Sequence, residues 1–579
     1  MNEAPQMTHI RLDAIPLLLG VLMQMEIPQI YDREIGDHGA HTGLSGGWTM
    51  TIWLAFILSQ ADHTKYKVEE WVARHQVLLT RLTLQLISPS EFSDNRLSRV
   101  LARLSKMAGW ARFEETLWKH SVEVYQLEMP SVGGVYSAHV DTTTTCGYHV
   151  PHEGGLMQLG HSKDHRPDLG QLQLVSVATH PHGHLAATQV VKGNVADDGL
   201  YLPIIARARG IFKRTGMLYV GDSKMAALKT RATIAHDEDY YLTVAPLTGE
   251  TAQLLPDWIT AAVTGTQPTV RISQGPGKVV GRGYEFERRS SAELPEGAGA
   301  PFTWQERVQV FRSNAHAAQQ FTALTRRLAK AKAALLALTP KPKPGCRQFR
   351  EEARLEEAIR AILKHHEVEG LLKVGWRVEQ TVVTRYPGRG RPTATSQPQT
   401  VNTRRCQITH VRRDPGALAV KRQRLGWRVQ LTNVPAVVSL PTCVRHYRGN
   451  WCGERNYHRL KSQPLGIDTL FVRKDEQIAG LTYLLTLAAR VEAVIEFQVA
   501  RGLKEENTQM KGLYSGLPHK TTPTPTTVAI LAALARSEIT LTQIAWQGQR
   551  AFHLSPLPEL LSKVLHYLTL PVSLYTSEL

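Results

Sequence analysis

Strand and helix patterns alternate between residues 133 and 246, and this alternation constrains the fold more than any other feature of the 579-residue chain. GGVYSAHVDTTT is a strand pattern, and QLQLVSVATHPHGHLAATQVV has two alternating runs around a tight HPHG turn, which predicts a hairpin. A helix, a strand (GMLYVGDSKM), a second helix and a strand (DYYLTVAP) follow. Strands that alternate with helices in this way predict a mixed α/β sheet.

The patterns on either side of this region differ from it. Residues 1–128 have long apolar-periodic runs, which predict an all-helical domain. Further along, the patterns predict a long helix over 304–338, a second helix over 348–366, and then basic strands. LGWRVQLTN is expected to return to the sheet, and one helix is predicted over 446–462. A long amphipathic helix, a Pro/Thr linker and a small helical tail complete the chain.

Positive charge is concentrated in one stretch. The net charge is +17, and between Lys373 and Asn450 fifteen Lys and Arg residues face only two acids, Glu379 and Asp414. Such a stretch repels itself unless an anion neutralises it, which favours contact with DNA phosphates over a solvated surface of mixed charge. Four of these cations are the candidate phosphate contacts: Arg404, Arg405, Arg412 and Arg413.

Three acids stand where a metal site would form. Asp141 and Asp222 follow predicted strands, and Glu454 lies in the predicted helix after LGWRVQLTN. Acids at the carboxyl ends of neighbouring strands converge, because ligand sites of α/β sheets form there. Clustered carboxylates repel unless cations neutralise them, and their hard oxygens suit Mg²⁺. We expect their carboxylates within about 8 Å of one another, as two bridging metal ions require.

The helix predicted around Glu454 has a polar face. Tyr447, Glu454 and Lys461 are seven residues apart, and Asn450 lies three residues after Tyr447. The four side chains therefore share one face of a continuous helix. A solvated face is the alternative, but a carboxylate, an ammonium, an amide and a phenol also suit a metal and a phosphate.

These residues resemble the signature Tyr-x2-Arg-x3-Glu-x6-Lys of bacterial insertion-sequence transposases of the DDE type. Tyr447, Glu454 and Lys461 match it at the correct spacing, whereas Asn450 stands where the signature has Arg. Asp141 and Thr143 match the group's Asp-x-Thr motif. GHSKDHRPDLGQLQL, KGNVADDG, YVGDSKM and VRKDEQIAGLTYLLTLAARV also look like segments of this group, so the resemblance covers residues 10 to 505.

The resemblance implies a ribonuclease H-like catalytic domain interrupted by a large insertion. Because 232 residues separate Asp222 from Glu454, an inserted domain is expected between them, outside the core sheet. The predicted segments are a helical domain for DNA binding or dimerisation (1–128), a first part of the core (129–247), an insertion (248–423), a second part of the core (424–505), and a linker with a helical tail (506–579).

The implied activity is Mg²⁺-dependent cleavage at the element ends and strand transfer into target DNA, with Mn²⁺ as the alternative ion. Asp141, Asp222 and Glu454 would be the catalytic metal ligands. Tyr447, Asn450 and Lys461 would hold the DNA end, with Lys163 and Arg166 in a nearby loop. The implied partners are double-stranded DNA with terminal inverted repeats, target DNA, and a second copy of the chain in a synaptic homodimer.

Other functions are less favoured. Seven histidines could suggest zinc, but the five cysteines include no Cys-x2-Cys pair, which argues against zinc and disulfides. Trp427 and Trp451 could stack on a flipped base, although packed tryptophans are more often core. The histidines are His149, His152, His161, His165, His180, His182 and His184.

Two alternatives to the transposase remain open, namely a DNA-binding relic with weakened activity and a structure-specific nuclease. Asn450 points toward the relic, because it lacks the charge and the bidentate grip of Arg. No run of eighteen apolar residues and no secretory signal pattern is seen, so we expect neither a membrane span nor secretion. The expected location is the bacterial cytoplasm, on the nucleoid when DNA is bound.

Overall fold

The computed structural model describes residues 6–576 except 38, 40–41, 128, 130, 132, 164, 276, 295–299, 342, 344–347, 387–396, 450 and 547–548. The strands are β1 (Gln6–Arg11), β2 (Tyr136–Gly147), β3 (Gly170–Thr179), β4 (Leu185–Lys192), β5 (Met217–Gly221), β6 (Tyr240–Val244), β7 (Val270–Ser273), β8 (Val279–Ala292), β9 (Phe302–Ser313), β10 (Leu372–Arg385), β11 (Gln399–Arg413), β12 (Trp427–Thr432), β13 (Thr540–Trp546) and β14 (Gln549–Leu554).

The helices are α1 (Ile15–Gln24), α2 (Ile27–Glu34), α3 (Gly46–Gln60), α4 (Val68–Thr83), α5 (Asp94–Leu104), α6 (Met107–Tyr125), α7 (Tyr201–Phe212), α8 (Leu228–His236), α9 (Gly249–Thr264), α10 (Asn314–Ala337), α11 (Glu352–His365), α12 (Pro415–Gln423), α13 (Leu440–Arg448), α14 (Trp451–Lys461), α15 (Asp475–Glu505), α16 (Thr527–Arg536), α17 (Glu559–Tyr567) and α18 (Ser573–Thr576).

Two compact units make up the chain. The first consists of Met1–Val244, Arg289–Glu306 and Leu431–Leu579, and the second of Ala245–Arg288 and Arg307–Gln430. The limits of the units fall within β8, β9 and β12. The five segments expected from the sequence stay a prediction, because compactness alone does not define functional domains.

The fold is mixed α/β, with a large mixed sheet. Within the described residues its strands have the order β4-β3-β2-β5-β6-β12-β9-β8-β7. β3 runs antiparallel to β2 and β4, whereas β2, β5 and β6 run parallel. Between residues 136 and 244 the elements are three strands, a helix, a strand, a helix and a strand, together with a short 3₁₀ turn, which confirms the predicted order.

The expectation that residues 248–423 lie outside the sheet is wrong for the strands β7, β8 and β9, which follow β12 in the sheet order. The helix predicted from Trp304 begins instead at Asn314, after β9. In β9 apolar and polar residues do not mark buried and exposed positions, because the polar residues Glu306 and Gln309 are fully buried. A run that is buried on both faces does not show the period of two expected for a strand.

The long helix α15 lies in the main core of the first unit. Acids in its first turn, Asp475 and Glu476, and Lys504 in its last turn complement the helix dipole. Gly480 permits close packing on α5, because a Cβ there would lie 2.0 Å from the carbonyl oxygen of Leu101. By length and composition this helix could also cross a membrane, but 94% of its apolar window is buried within the protein, as in core helices of soluble proteins.

The N-terminal and C-terminal segments are not purely helical, contrary to expectation. β1 pairs with β13, and β13 pairs with β14, in a small antiparallel sheet within the first unit. Each strand has only six or seven residues, and Gln6 is registered with Ala545. Such short runs are recognisable as strands only once their distant partner is known.

The second unit has its own core around a two-stranded ribbon. Leu324, Leu328 and Leu335 are buried along one face of α10, and Leu355 and Ile359 of α11 join them. The antiparallel strands β10 and β11 pair from Leu372 and Arg413 to Arg385 and Gln399. Cys406, Ile408 and Val411 attach the base of this ribbon to the helices, and its distal half is largely exposed.

Candidate active site

Asp141 and Asp222 lie at the same level of neighbouring strands. The parallel pairing of β2 with β5 ends at His139 and Val220, and each acid lies two residues further along the chain. Asp222 follows the last residue of β5, as expected, whereas Asp141 lies within β2, because antiparallel pairing with β3 extends β2 to Gly147. Asp141 and Asp222 are therefore equivalent positions beyond the last pair, although they are not themselves a paired position of the sheet. Because the offset of two is even, both side chains would then project from the same face of the sheet.

The charge of Glu454 affects Asp141, which indicates that the two residues lie near each other. Burial is the main cause that raises the pKa of Asp141 to about 6, and the charges of Asp222 and Glu454 raise it further. The ammonium of Lys163 and the main-chain N–H of Thr142, which donates to Asp141 Oδ1 at 2.8 Å, act in the opposite direction. The three acids are therefore close enough to interact, and the 8 Å limit stays a prediction.

Tyr457 joins the glutamate helix to the strand that carries Asp141. Its hydroxyl donates to the Asp141 carbonyl oxygen at 2.6 Å and shares a hydrogen bond of 2.8 Å with the Ser176 hydroxyl. Ser176 faces Asp141 in the β2–β3 register. Since Tyr457 and Glu454 are three residues apart in α14, this buried contact fixes the helix face that presents Glu454.

Asp222 is held from two sides. The Tyr201 hydroxyl in α7 donates to Asp222 Oδ1 at 2.6 Å, and the main-chain N–H of Lys224 donates to the same oxygen at 2.9 Å. The Thr243 hydroxyl of β6 donates to the Asp222 carbonyl oxygen at 2.6 Å. These contacts fix both the backbone and the carboxylate, and the sequence patterns did not indicate Tyr201 or Tyr457.

The loop residues Lys163 and Arg166 lie in different surroundings. The Lys163 ammonium donates to the carbonyl oxygen and the hydroxyl of Thr142, at 2.5 and 2.6 Å, next to Asp141. The Arg166 guanidinium instead forms a bidentate ion pair with Asp168 and lies over the Tyr148 ring. Lys163 therefore acts as a built-in counter-ion of the acids, whereas Arg166 is neutralised within its own loop.

The single helix predicted over 446–462 is wrong, because α13 ends at Arg448 and α14 begins at Trp451. Gly449 at the break packs on His180, and a Cβ there would lie 2.4 Å from its Nε2. Tyr447 packs against an apolar cluster that includes Val434 and Val438 and does not share a helix face with Glu454. Lys461 remains on α14, seven residues after Glu454, and Asn450 lies outside the described residues.

The donor atoms of the three acids suit Mg²⁺, but the present arrangement of these acids does not form a metal site. Their donors are all carboxylate oxygens, the preferred ligands of this ion, and a cation would counter the burial and the neighbouring charges that raise the pKa of Asp141. Among the described residues, however, no three His, Cys, Asp or Glu side chains are placed to hold a metal ion.

Zinc is the less favoured alternative for the seven histidines. Within the described residues, these histidines take part in no group of three side chains that could hold a metal ion. His180 instead stacks between His139 and His446, with ring centroids 5.3 and 5.1 Å away. Burial, with the neighbouring His446 and His182, lowers the pKa of His180 to about 4. The His180 ring is therefore neutral at pH 7, and the three rings pack the α13–α14 break onto the end of β3 and onto β2.

The ribbon β10–β11 carries the four candidate phosphate contacts in the second unit. Arg404 forms an ion pair with Glu352 at 2.6 Å, and Arg405 lies 3.7 Å from Glu379. Arg412 and Arg413 are exposed, and no acid lies within ion-pair distance of either among the described residues. The stretch is thus partly neutralised at two of the four positions. Its loop cations Arg389 and Arg391 lie outside the described residues.

The tryptophans proposed for base stacking are not available on the described surface. Trp427 is buried in β12, and its indole N–H donates to the Gln423 carbonyl oxygen at 2.9 Å. The side chain of Trp451 lies outside the part of the chain that the structure describes. Trp427 is therefore a core residue, as packed tryptophans usually are.

Comparisons with known proteins add little. No protein-family model and no curated protein sequence matches the chain. Among solved structures, it is similar to the piggyBac transposase in a synaptic complex with hairpin DNA, at 9% identity and a TM-score of 0.23. The similarity covers 50% of this chain and 60% of that one, so it spans less than two thirds of the transposase. At this TM-score it carries no argument about fold or function.

Proposed function

We propose that this protein is a DNA transposase of the DDE type, which cleaves DNA at the ends of an insertion sequence and joins the freed ends to target DNA. The observation that supports this most is the joint position of Asp141 and Asp222 beside the helix of Glu454. Burial, together with the neighbouring charges of Asp222 and Glu454, raises the pKa of Asp141, and such a carboxylate is expected where cations bind phosphate groups.

The proposed catalytic domain is ribonuclease H-like. The order β4-β3-β2-β5-β6, with an antiparallel meander followed by two parallel strands, supports this assignment. The acids also support it, because Asp141 and Asp222 each lie two residues beyond the last pair of the neighbouring parallel strands β2 and β5. In this proposal the segments 129–247 and 424–505 form the core, and the intervening residues interrupt it.

Asp141, Asp222 and Glu454 would hold two Mg²⁺ ions, or Mn²⁺ in their place. When bound, the ions would activate the attacking oxygen and stabilise the leaving one. The residues of the chain do the remaining work of orientation. Tyr457 and Tyr201 fix Glu454 and Asp222 on their supporting elements, and Lys163 limits the repulsion among the acids before a cation binds.

DNA would be held by positive charge and by the signature residues. Lys461 and Tyr447 are proposed to contact the element end, together with Asn450, Lys163 and Arg166. The ribbon residues Arg404, Arg405, Arg412 and Arg413 would contact phosphates along the duplex. The proposed assembly is a homodimer that pairs two inverted repeats, and the proposed location is the bacterial cytoplasm.

A DNA-binding relic is the second candidate, because Asn450 replaces the signature arginine. A strand-transfer assay separates the candidates when its labelled duplex carries the inverted repeat that flanks the gene. Mg²⁺-dependent cleavage and joining supports the transposase, binding without turnover supports the relic, and cleavage without joining indicates a structure-specific nuclease. Failure to bind the repeat would contradict both the transposase and the relic.

A further inference from the structure

A cavity of about 550 Å³ lies in the first unit, away from the three acids in sequence. It is formed by the turn at His63–Tyr66, by Asp94 at the start of α5, and by residues 471–481. Its volume lies within the usual range for pockets that bind small organic groups. None of its lining residues belongs to the proposed active site or to the basic ribbon.

Two aromatic rings at this cavity are unusually exposed. Phe471 is 71% and Tyr66 is 72% exposed, although the neighbouring Val472 is buried. The centroid of the His63 ring lies 6.3 Å from that of the Phe471 ring. The pKa of His63 is lowered, mainly because the ring is buried. The cavity therefore presents two accessible aromatic faces and an uncharged ring, which suits a flat π-system.

Cations surround the aromatic faces. Arg473 and Lys474 are exposed, and among the described residues no acid lies within ion-pair distance of either. The ammonium of Lys65 differs, because it is occupied by Asp94 at 3.0 Å and by the Ser98 hydroxyl at 2.7 Å. The cavity thus has two uncompensated positive charges next to aromatic faces, and the complementary ligand is a flat ring that carries an anion.

We propose that this cavity binds one unpaired nucleotide of a DNA strand, with the base stacked on Phe471 and the phosphate near Arg473 and Lys474. A paired base cannot stack there, because both of its faces are covered inside a duplex. Base–aromatic stacking is tolerant of sequence, so we expect little preference among bases. The identity of the nucleic acid rests on the proposed function, whereas the preference for an unpaired base does not.

The test uses DNA duplexes that contain 2-aminopurine, either paired or in a single-stranded overhang. In metal-free buffer, the wild-type protein should quench the unpaired probe and not the paired one. Phe471→Ala should weaken binding of the overhang about 5- to 100-fold, as expected for the loss of one base stack. Phe471→Trp should retain it, and the double variant Arg473→Ala, Lys474→Ala should weaken it and flatten its salt dependence.

Trp546→Ala, which removes an aromatic ring that is 48% exposed on β13, is the matched control and should bind like the wild type. Equal binding of the overhang by Phe471→Ala and the wild type would overturn the proposal, even if the protein cleaves DNA. Quenching of the unpaired probe, together with no cleavage of the flanking inverted repeat in a separate assay with Mg²⁺, would retain the cavity and refute the transposase activity. A loss shared by Phe471→Ala and Trp546→Ala would also count against a specific stack.

Discussion

Asp141 and Asp222 stand two residues beyond His139 and Val220, the last paired residues of two neighbouring parallel strands. This relationship contributes to the main electrostatic feature of the site. Burial is the main cause that disfavours ionisation of Asp141, and the nearby charges of Asp222 and Glu454 add to it. The arrangement lowers stability while the acids are charged, which is the expected condition of a site that awaits cations.

Asp141→Asn should stabilise the protein at neutral pH. A pKa of about 6 in the folded state, above the ordinary 3.8, means that the ionised carboxylate lowers the free energy of unfolding as pH rises from about 4 to 6. Well above pH 6 the variant should therefore be more stable by about 3 kcal/mol, and at pH 3.5 the difference should nearly vanish.

Urea unfolding at pH 3.5 and 7.5 in EDTA measures this difference. Asp198→Asn serves as the control, because Asp198 is exposed and lies outside the proposed site. An Asp141→Asn variant no more stable than the wild type at pH 7.5 would show that the carboxylate is not destabilised by its surroundings.

Tyr457→Phe should reduce cleavage more than it reduces stability. The variant loses the hydrogen bonds to the Asp141 carbonyl and to Ser176, so the free energy of unfolding should fall by about 1 kcal/mol. The rate of cleavage should fall about tenfold or more, since Glu454 is then less well positioned. Single-turnover cleavage with saturating DNA separates this effect from binding.

The control is Tyr125→Phe, which removes one hydroxyl that donates to Gln24 Oε1 at 3.0 Å outside the site. It should lose similar stability and keep full activity. If both variants cleave equally well, Tyr457 only stabilises the fold and does not position Glu454.

The ribbon should bind DNA through phosphates, with unequal contributions from its four arginines. Removing Arg412 and Arg413, which face no acid among the described residues, should lower the slope of log affinity against log salt by nearly two. Removing Arg404 and Arg405 should have a smaller effect, because Glu352 and Glu379 already compensate them. Filter binding between 50 and 300 mM salt would show this, and unchanged slopes for both pairs would mean that the ribbon is only solvated.

The sequence predicted local patterns well and long-range pairing poorly. The order of elements from β2 to β6 followed from clear alternation, because strands such as QLQLVSVAT and helices such as YLPIIARARGIF differ in period. The strand β9 was mistaken for helix, since its polar residues Glu306 and Gln309 are buried by partners that are distant in sequence. The pairing of β1 with β13 joins the two ends of the chain and has no local signal.

The candidate site was predicted in part. Asp222 follows β5 as the strand pattern predicted, but Asp141 lies within β2 rather than at its end, and the continuous helix face through Tyr447 and Glu454 did not form. Seven-residue spacing cannot reveal a break that depends on the contact of Gly449 with His180. Tyr457 and Tyr201 were not recognised, because a buried tyrosine shows its function only through its partner.

Glu454→Gln tests the central proposal most directly. The change preserves the shape of the side chain on the exposed first turn of α14, so folding should be unaffected. It also removes one negative charge from the acids around Asp141, and the pKa of Asp141 should fall. DNA binding should persist, since it is assigned to the basic residues and not to the acids.

The decisive measurement is the single-turnover rate of Mg²⁺-dependent cleavage of the flanking inverted repeat, made with equal amounts of bound DNA. We predict that Glu454→Gln cleaves on the order of a thousandfold more slowly than the wild type while it binds DNA with equal or greater affinity. Cleavage at the wild-type rate by the bound variant would contradict the assignment of Glu454, and with it the proposed active site.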